Sequence, residues 1–388
     1  MKQVSITKAV KIKNQHVKPF NGERDYMATG GLVGSEIKTE KITYKTKPSR
    51  ADLLVCKNQL IVARMKGTNK VLLVDENSCD LIVSTGFLVL DVQDGWLPGF
   101  LYHFFVSNYF QDQKDKFSIG ATQKAINNAK FKEILIPELS LEDQKRIVKI
   151  FDEADVLRQK RKKAIDLLDE YLKSVFLDMF GKTATGFQKW EVVEIQNLAE
   201  DRKGSMRTGP FGSDLRHSEF VKDGVAVVGI DNAVQNKFAW KEKRFITSEK
   251  YEKLKRYRLY PRDVIVTIMA TIGRSAVIPD DIPLAINTKH LASITLNKKL
   301  ANPYFISYSL HSNPIIKKQI EQQNIGAIMP GLNLGIIKKL KIRKPPIDLQ
   351  NLFEDTYHKI QKIKEKMADQ SIELDNQFQA LIQKSFLQ

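Results

Sequence analysis

Cysteine is nearly missing from this chain: only Cys56 and Cys79 occur, with no CxxC and no neighbouring histidine pair. A disulfide framework and a zinc site are therefore excluded, and both residues read as packing residues. Long apolar runs are missing too. No stretch approaches the ~20 apolar residues that span a bilayer. The amino terminus, MKQVSITKAVKIKNQ, alternates charged and apolar residues and lacks the apolar centre of a signal peptide, so a cytoplasmic location is expected. Proline and glycine are absent from residues 138–180, and again from 347–388. Nothing in either segment interrupts a helix of about 40 residues, ~60 Å long at ~1.5 Å per residue.

Acidic charge is also in short supply. Against 62 Lys and Arg stand 45 Asp and Glu, a net charge of +17, which favours a polyanionic partner. The surplus is uneven: +7 in residues 1–130, −1 in 131–181, +8 in 182–336 and +3 in 337–388. Two basic blocks on near-neutral connectors suit two DNA-facing domains, and 388 residues exceed one ordinary core.

An internal duplication organises the chain. Shifted by 206 residues, segment 120–182 aligns with 326–388 without a gap, from GATQKAIN at Gly120 against GAIMPGLN at Gly326 to Phe180 against Phe386. Upstream, LIVARMKGTNKVLLV from Leu60 follows VIVTIMATIGRSAVI from Val264 at a shift of 204. A period this long marks duplicated domains rather than a solenoid. Each repeat ends in a long helix. Apolar positions three and four apart predict a pairing seam of Ile147, Ile150, Leu157, Leu168, Tyr171 and Val175 in the first helix. In the second they predict Phe353, Ile360, Ile363, Met367, Leu374 and Leu381. Each helix has one narrow stripe to bury, and the simplest partner is the other helix, antiparallel, relating the halves by an approximate two-fold axis.

The predicted class is α+β, with two globular target-binding domains separated by two long antiparallel coiled-coil helices. The expected boundaries are 1–136 for the first globule, 137–182 for the central helix, 183–343 for the second globule and 344–388 for the C-terminal helix. The blocks mix β-rich runs such as DLLVCKNQLIVARM and GVAVVGI with turn signals. LYHFFVSNYF from Leu101 and NPYFISYSLHS from Asn302 fit packing helices.

Catalytic signatures are absent. Asn302-Pro303-Tyr304-Phe305 lacks the second proline of an adenine-methyltransferase motif and reads as a helix start; no GxxxxGK[ST] motor loop occurs. Asp25, Glu36 and Lys38 approximate a nuclease spacing but have no second copy, and the histidines lack ligand spacing. No catalytic or metal residue is assigned.

Recognition chemistry remains, with Arg and Lys for phosphates and polar loop residues for base edges. In the first block the candidates are Arg64, Lys66, Thr68, Asn69 and Lys70. In the second they are Lys203, Arg207, Ser213, Arg216, His217, Arg256, Arg258, Arg274, Lys289 and His290. Gly209, Pro210 and Gly212 would give their loop a fixed turn whose N–H groups can approach phosphate.

Several of these segments resemble the specificity (S) subunits of type I restriction-modification enzymes over nearly the whole chain. The most specific are GPFGSDLR from Gly209, YPRDVIVTIMATIGRSAVI from Tyr260, INTKHLASITL from Ile286 and MPGLNLGIIKKLKIRKPPIDLQ from Met329. FNGERDYMATGGLVGSEI from Phe20 is similar to one variety of recognition domain, but the first block lacks GPFGS. The resemblance implies a non-catalytic chain that binds no cofactor and reads a split DNA target, one half per globule, with the helices setting the spacing. It also implies two methyltransferase subunits that use S-adenosylmethionine and two restriction subunits that use ATP and Mg²⁺. Composition alone fits a stand-alone duplicated DNA-binding protein equally well; a nuclease or methyltransferase fusion fits less well, because its motifs are missing.

Overall fold

The computed structural model describes residues 2–13, 15–34, 36–323 and 331–387, the side chains of Ser213, Gln383, Lys384 and Leu387 excepted. The second repeat's GAIMP stretch, from Gly326, thus lies outside the described residues. The chain forms two compact units: residues 1–163 with 367–388, and residues 164–366. Each unit therefore takes one globule and a stretch of both long helices.

The first unit begins with β1 (Gln3–Ser5), β2 (Val10–Ile12), β3 (Arg24–Met27), β4 (Leu32–Val33), β5 (Glu36–Ile37) and β6 (Glu40–Ile42). It continues through β7 (Ala51–Leu54), β8 (Leu60–Ala63), β9 (Val71–Leu73), β10 (Ile82–Ser84) and β11 (Phe87–Val92). Then come α1 (Pro98–Val106), α2 (Asn108–Lys116), α3 (Asn128–Phe131), β12 (Leu135–Pro137) and the start of α4 (Leu141–Phe180). One sheet has the order β2-β11-β8-β9, antiparallel throughout. The other is β6-β3-β10-β7, in which β3 and β10 run parallel. Strand β8 is buried on both faces. Leu60 and Val62 pack toward the phenylalanines of α1, Ile61 and Ala63 toward the second sheet, which is why the sequence here is continuously apolar rather than alternating.

The second unit repeats this plan with β13 (Glu191–Glu194), β14 (Met206–Thr208), β15 (Val225–Val228), β16 (Phe245–Ile246) and α5 (Ser248–Leu254). These are followed by β17 (Val264–Thr267), β18 (Ser275–Val277), β19 (Ala285–Asn287), β20 (Leu291–Ile294), α6 (Pro303–Ser312), α7 (Pro314–Gln322), α8 (Leu334–Lys339), β21 (Lys341–Lys344) and α9 (Ile347–Leu387). Its sheets run β14-β20-β17-β18 and β16-β15-β19, with β15 and β19 parallel. The four-stranded sheets match strand for strand, β16-β15-β19 matches β6-β3-β10 with no named strand in the place of β7, and the ribbon β1-β12 matches β13-β21. Asn302 caps α6, accepting from the Tyr304 N–H, so the Asn-Pro-Tyr-Phe run is a helix start, as its sequence indicates.

The duplication reaches individual hydrogen bonds. Buried Gln144 accepts from Leu97 N and donates to Gly95 O and Leu139 O; Gln350, 206 residues on, accepts from Asn302 N and donates to Leu300 O and Pro345 O. Each glutamine ties a long helix to the loop before its globule's helix pair. Gln113 likewise brackets Leu135 as Gln319 brackets Lys341.

In both units α4 and α9 run antiparallel. The first unit pairs Phe151 with Phe378 and Phe386, Arg158 with Asp375 and Arg161 with Gln370. The second pairs Asp169 with Lys364 and Phe176 with Phe353. The expected seam needs correction at five positions, because Ile150, Leu157, Tyr171, Ile363 and Leu381 are exposed. Ile147 and Leu168 are partly buried against their cores, Val175, Met367 and Leu374 are half-buried, and Phe353 and Ile360 are buried. One row of the α4 seam lies a residue later than expected, through Phe151, Arg158 and Leu172. Hydrophobicity prefers Leu157 to Arg158. The guanidinium of Arg158 nevertheless sits 4.6 Å over the Phe378 ring while pairing with Asp375, so its stem and planar head fill a seam position.

Candidate nucleic-acid interface

In the second unit, loops from both sheets meet beside the ends of β14, β17 and β19. Gly209 follows β14 and lies so close to the β19–β20 turn that a Cβ would fall 2.3 Å from Asn287 O and 2.3 Å from Thr288 C. Only glycine admits that approach. Thr288 N donates to Val228 O (3.0 Å), and Ile268 N donates to His290 O (3.0 Å), so the β17–β18 turn is tied to the same place. Inside that turn Thr267 Oγ1 donates to Thr271 O and accepts from Arg274 N (3.0 Å). Arg274 and Lys289 are exposed and His290 is half-buried. Burial, helped by the Lys289 charge, pushes the His290 pKa down, so its ring is neutral near pH 7 with one donor and one acceptor nitrogen.

Arg216 and His217 are exposed on the continuation of the Gly209 loop. Arg216 N donates to the Glu219 carboxylate (2.7 Å), which Lys250 holds from the other side (2.6 Å), so a polar clamp fixes the loop's backbone. Arg256 stacks on Tyr257, 4.6 Å from the ring centre, and comes within 3.8 Å of Asp214. The Ser213 side chain lies outside the described residues.

Arg207, Arg258 and Lys203 form a different group. Arg207 belongs to β14 rather than to an exposed loop, which corrects the sequence expectation. Its guanidinium is buried and donates to Asp263 (2.5 Å), Gly204 O, Thr295 Oγ1 and Arg258 O. Alternation in β14 turns it inward, where buried Asp263 compensates the charge. Arg202 and Arg258 lie on the Tyr260 ring, 5.0 and 5.1 Å from its centre, and Lys203 is exposed.

In the first unit the candidate loop joins β8 to β9. Lys66 is exposed, as is Asn69, but most of the loop's polar side chains hydrogen-bond within the protein. Arg64 donates to Phe87 O (3.1 Å) and to the Asn128 side chain (2.8 Å), Asn69 to Val106 O (2.9 Å) and Lys70 to Thr29 O (2.8 Å). Thr68 is half-buried, and its carbonyl accepts from Lys114. Lys114 escapes sequence reading, since nothing marks it among the charges of α2. It is fully buried, and its ammonium donates to Met65 O (2.9 Å) and Thr68 O (2.7 Å). Gly67 N in turn donates to the Asp115 carboxylate. Four buried polar atoms of the second unit, Asp231 Oδ2, Arg244 Nε, Asn287 Oδ1 and Thr288 Oγ1, have no hydrogen-bond partner among the described residues, and all belong to segments at the ends of β15, β16 and β19. Among the described residues no group of three or more metal-ligating side chains gathers, and no helix is long and apolar enough to cross a membrane.

The fold defines a duplicated protein, two globules of one plan each joined to the same pair of long helices. A family model described as the type I restriction modification DNA specificity domain matches residues 3–167 and 188–378, and the chain belongs to that family. A curated relative, the type I restriction enzyme MjaVIII specificity subunit of Methanocaldococcus jannaschii, is 24% identical over 259 residues, 62% of this chain. The match spans 59% of that relative's length. A solved chain from work on complex assembly and conformational transition of the type I R-M system has a TM-score of 0.68 at 16% identity, covering 99% of this chain and 97% of its own. The type I restriction-modification S subunit from M. genitalium has a TM-score of 0.51 at 14% identity, covering 100% and 96%. These two likenesses concern the fold.

Proposed function

We propose that this chain is the DNA-specificity subunit of a type I restriction-modification complex. Each globule reads one half of a split target, and the long helices fix the spacing of the halves and dock methyltransferase subunits. The observation that carries this reading is the duplication: two globules of one family fold, each with a basic surplus and each offering a β-turn edge to a partner. Sequence choice belongs to this chain, and chemistry to its partners. Methyltransferase subunits would bring S-adenosylmethionine, restriction subunits ATP and Mg²⁺; the chain alone neither cuts nor methylates DNA. A cytoplasmic location follows from that role.

The test is to assemble the full chain with its methyltransferase subunits, select bound duplexes from a random library and map the methylated adenines. A two-part target with a fixed gap is expected. Absence of any sequence preference, or methylation by the purified chain alone, would overturn the reading. The spacing role has its own measurement. One matched heptad inserted after Ala164 and one after Gln370 adds ~10 Å per helix, so the preferred gap should grow by about three base pairs with both half-site sequences kept. An unchanged gap in a folded, active variant removes the ruler.

A further inference from the structure

The β8–β9 and β17–β18 turns are the same turn in two copies, and each presents a methionine to solvent. Met65 is 39% exposed and Met269 49% exposed. They coincide at the 204-residue shift that aligns LIVARM with VIVTIM. Backbone hydrogen bonds establish the same equivalence without reference to sequence. The residue before each methionine is held on both sides: Arg64 N donates to Gly86 O and Arg64 O accepts from Ile126 N, as Ile268 N donates to His290 O and Ile268 O accepts from Leu332 N. All four bonds measure 2.9–3.1 Å. The copies are otherwise built differently. Buried Lys114 clamps the first turn through Met65 O and Thr68 O, whereas Thr267 Oγ1 braces the second through Thr271 O and Arg274 N. Two unlike braces thus hold one apolar side chain at one place.

A single exposed methionine calls for no explanation, because folded surfaces always carry some apolar area. Recurrence at one rigid position in two diverged domains does. The surroundings state the partner's chemistry: Lys66 and Lys124 are exposed beside Met65, and Arg274 and Lys289 beside Met269. Basic groups that can reach phosphates, around a flexible apolar tip, fit the grooves of a duplex, where thymine methyl groups and base steps are the apolar targets. We infer that Met65 and Met269 make equivalent apolar contacts to base pairs, one in each half-site, and so help set the sequence each globule reads. This rests on the DNA-recognition reading above. Phe211, 59% exposed on the GPFGS loop, adds an apolar group to the second half only.

The experiment uses the full chain assembled with its methyltransferase subunits, on the duplex that the unaltered complex selects. Met65→Ala and Met269→Ala should each weaken binding about ten-fold. The loss should fall on discrimination at one half-site, a different half for each variant. The slope of log Kd against log salt should stay put, since no phosphate contact is removed. Met→Leu at either position should bind nearly as the parent does. Uracil in place of thymine distinguishes the two apolar targets: if it abolishes the methionine-dependent preference the contact is to thymine methyl groups, and if the preference survives the contact is a base step, either result upholding the inference. Unchanged affinity in both alanine variants, a shallower salt slope, or a leucine variant as weak as alanine overturns it. A parent complex that selects no sequence overturns the function itself, which is a separate result.

Discussion

The two globules share strand order, helix pairs and tethering glutamines, yet hold their equivalent positions with different chemistry. At the start of the central hairpin the first has Gln59, which donates to Asp91 (2.6 Å) and accepts from Cys56 N. The second has Asp263 at the equivalent place, fully buried, bonded to Arg207, Thr295 Oγ1 and Tyr260 N. The first helix of each globule's helix pair carries a histidine in different company: His103 meets Asp152 (2.8 Å) in the first, His311 meets Ser275 Oγ (2.9 Å) in the second. The plan depends on backbone geometry and two-sided burial, which many side chains satisfy. Polar pairs inside it can therefore change freely, provided that each stays complete.

The comparison breaks most sharply at Asp263. Asp263→Asn strands a buried guanidinium and should cost about 3–5 kcal/mol of unfolding free energy, whereas Gln59→Ala should cost only about 1–2 kcal/mol. Urea unfolding of the full chain, followed by hydrogen exchange in β8 and β17, separates the two. Equal costs would mean that the pair contributes no more than a neutral hydrogen bond.

A somewhat smaller difference appears with pH. Burial, reinforced by the Lys317 charge, pushes His311 down to about 3. The unfolded chain binds a proton there near pH 6.5 while the folded chain refuses it until far lower, so stability is present above 6.5 and lost as pH falls from 6.5 toward 3. Between pH 7 and 4.5 the loss should reach about 2–3 kcal/mol, and His311→Asn should remove that part of the slope. In the first unit buried His103, beside Asp152 (2.8 Å), is likewise pushed down by burial, so only the His311 part of the acid limb should go with the variant. An identical acid limb in parent and variant would refute the assignment.

At the recognition edges, Arg216→Ala and Arg274→Ala should each weaken DNA binding of the assembled complex by about 1–3 kcal/mol. A loss confined to one half-site marks a base contact, and a uniform loss with a shallower salt dependence marks a phosphate contact. Normal affinity at every salt concentration would move the contact face elsewhere. Arg207→Ala, by contrast, should act first through unfolding. The smallest expected effect is Leu157→Ala, within about 0.5 kcal/mol for folding, against about 2–5 kcal/mol for Leu172→Ala on the buried row of α4.

Period and repetition along the chain already carry a large part of this architecture. A 206-residue duplication, two proline- and glycine-free helical stretches and two basic blocks foretell the α+β class, the long helices and a two-fold recurrence of one plan. Gly209 is legible as part of a fixed turn, but its close approach to Asn287 and Thr288 is not. Which charged groups face outward emerges only once the chain is folded. Arg207 and Arg274 look alike in a string of residues, but one lies on the inward face of a strand beside Asp263 and the other at the tip of a turn. Arg158 occupies a seam that hydrophobicity awards to Leu157, and Lys114 is spent on two carbonyls inside the first globule. A charge is buried when its partners arrive from elsewhere in the chain, and that meeting is a property of the fold rather than of any local pattern.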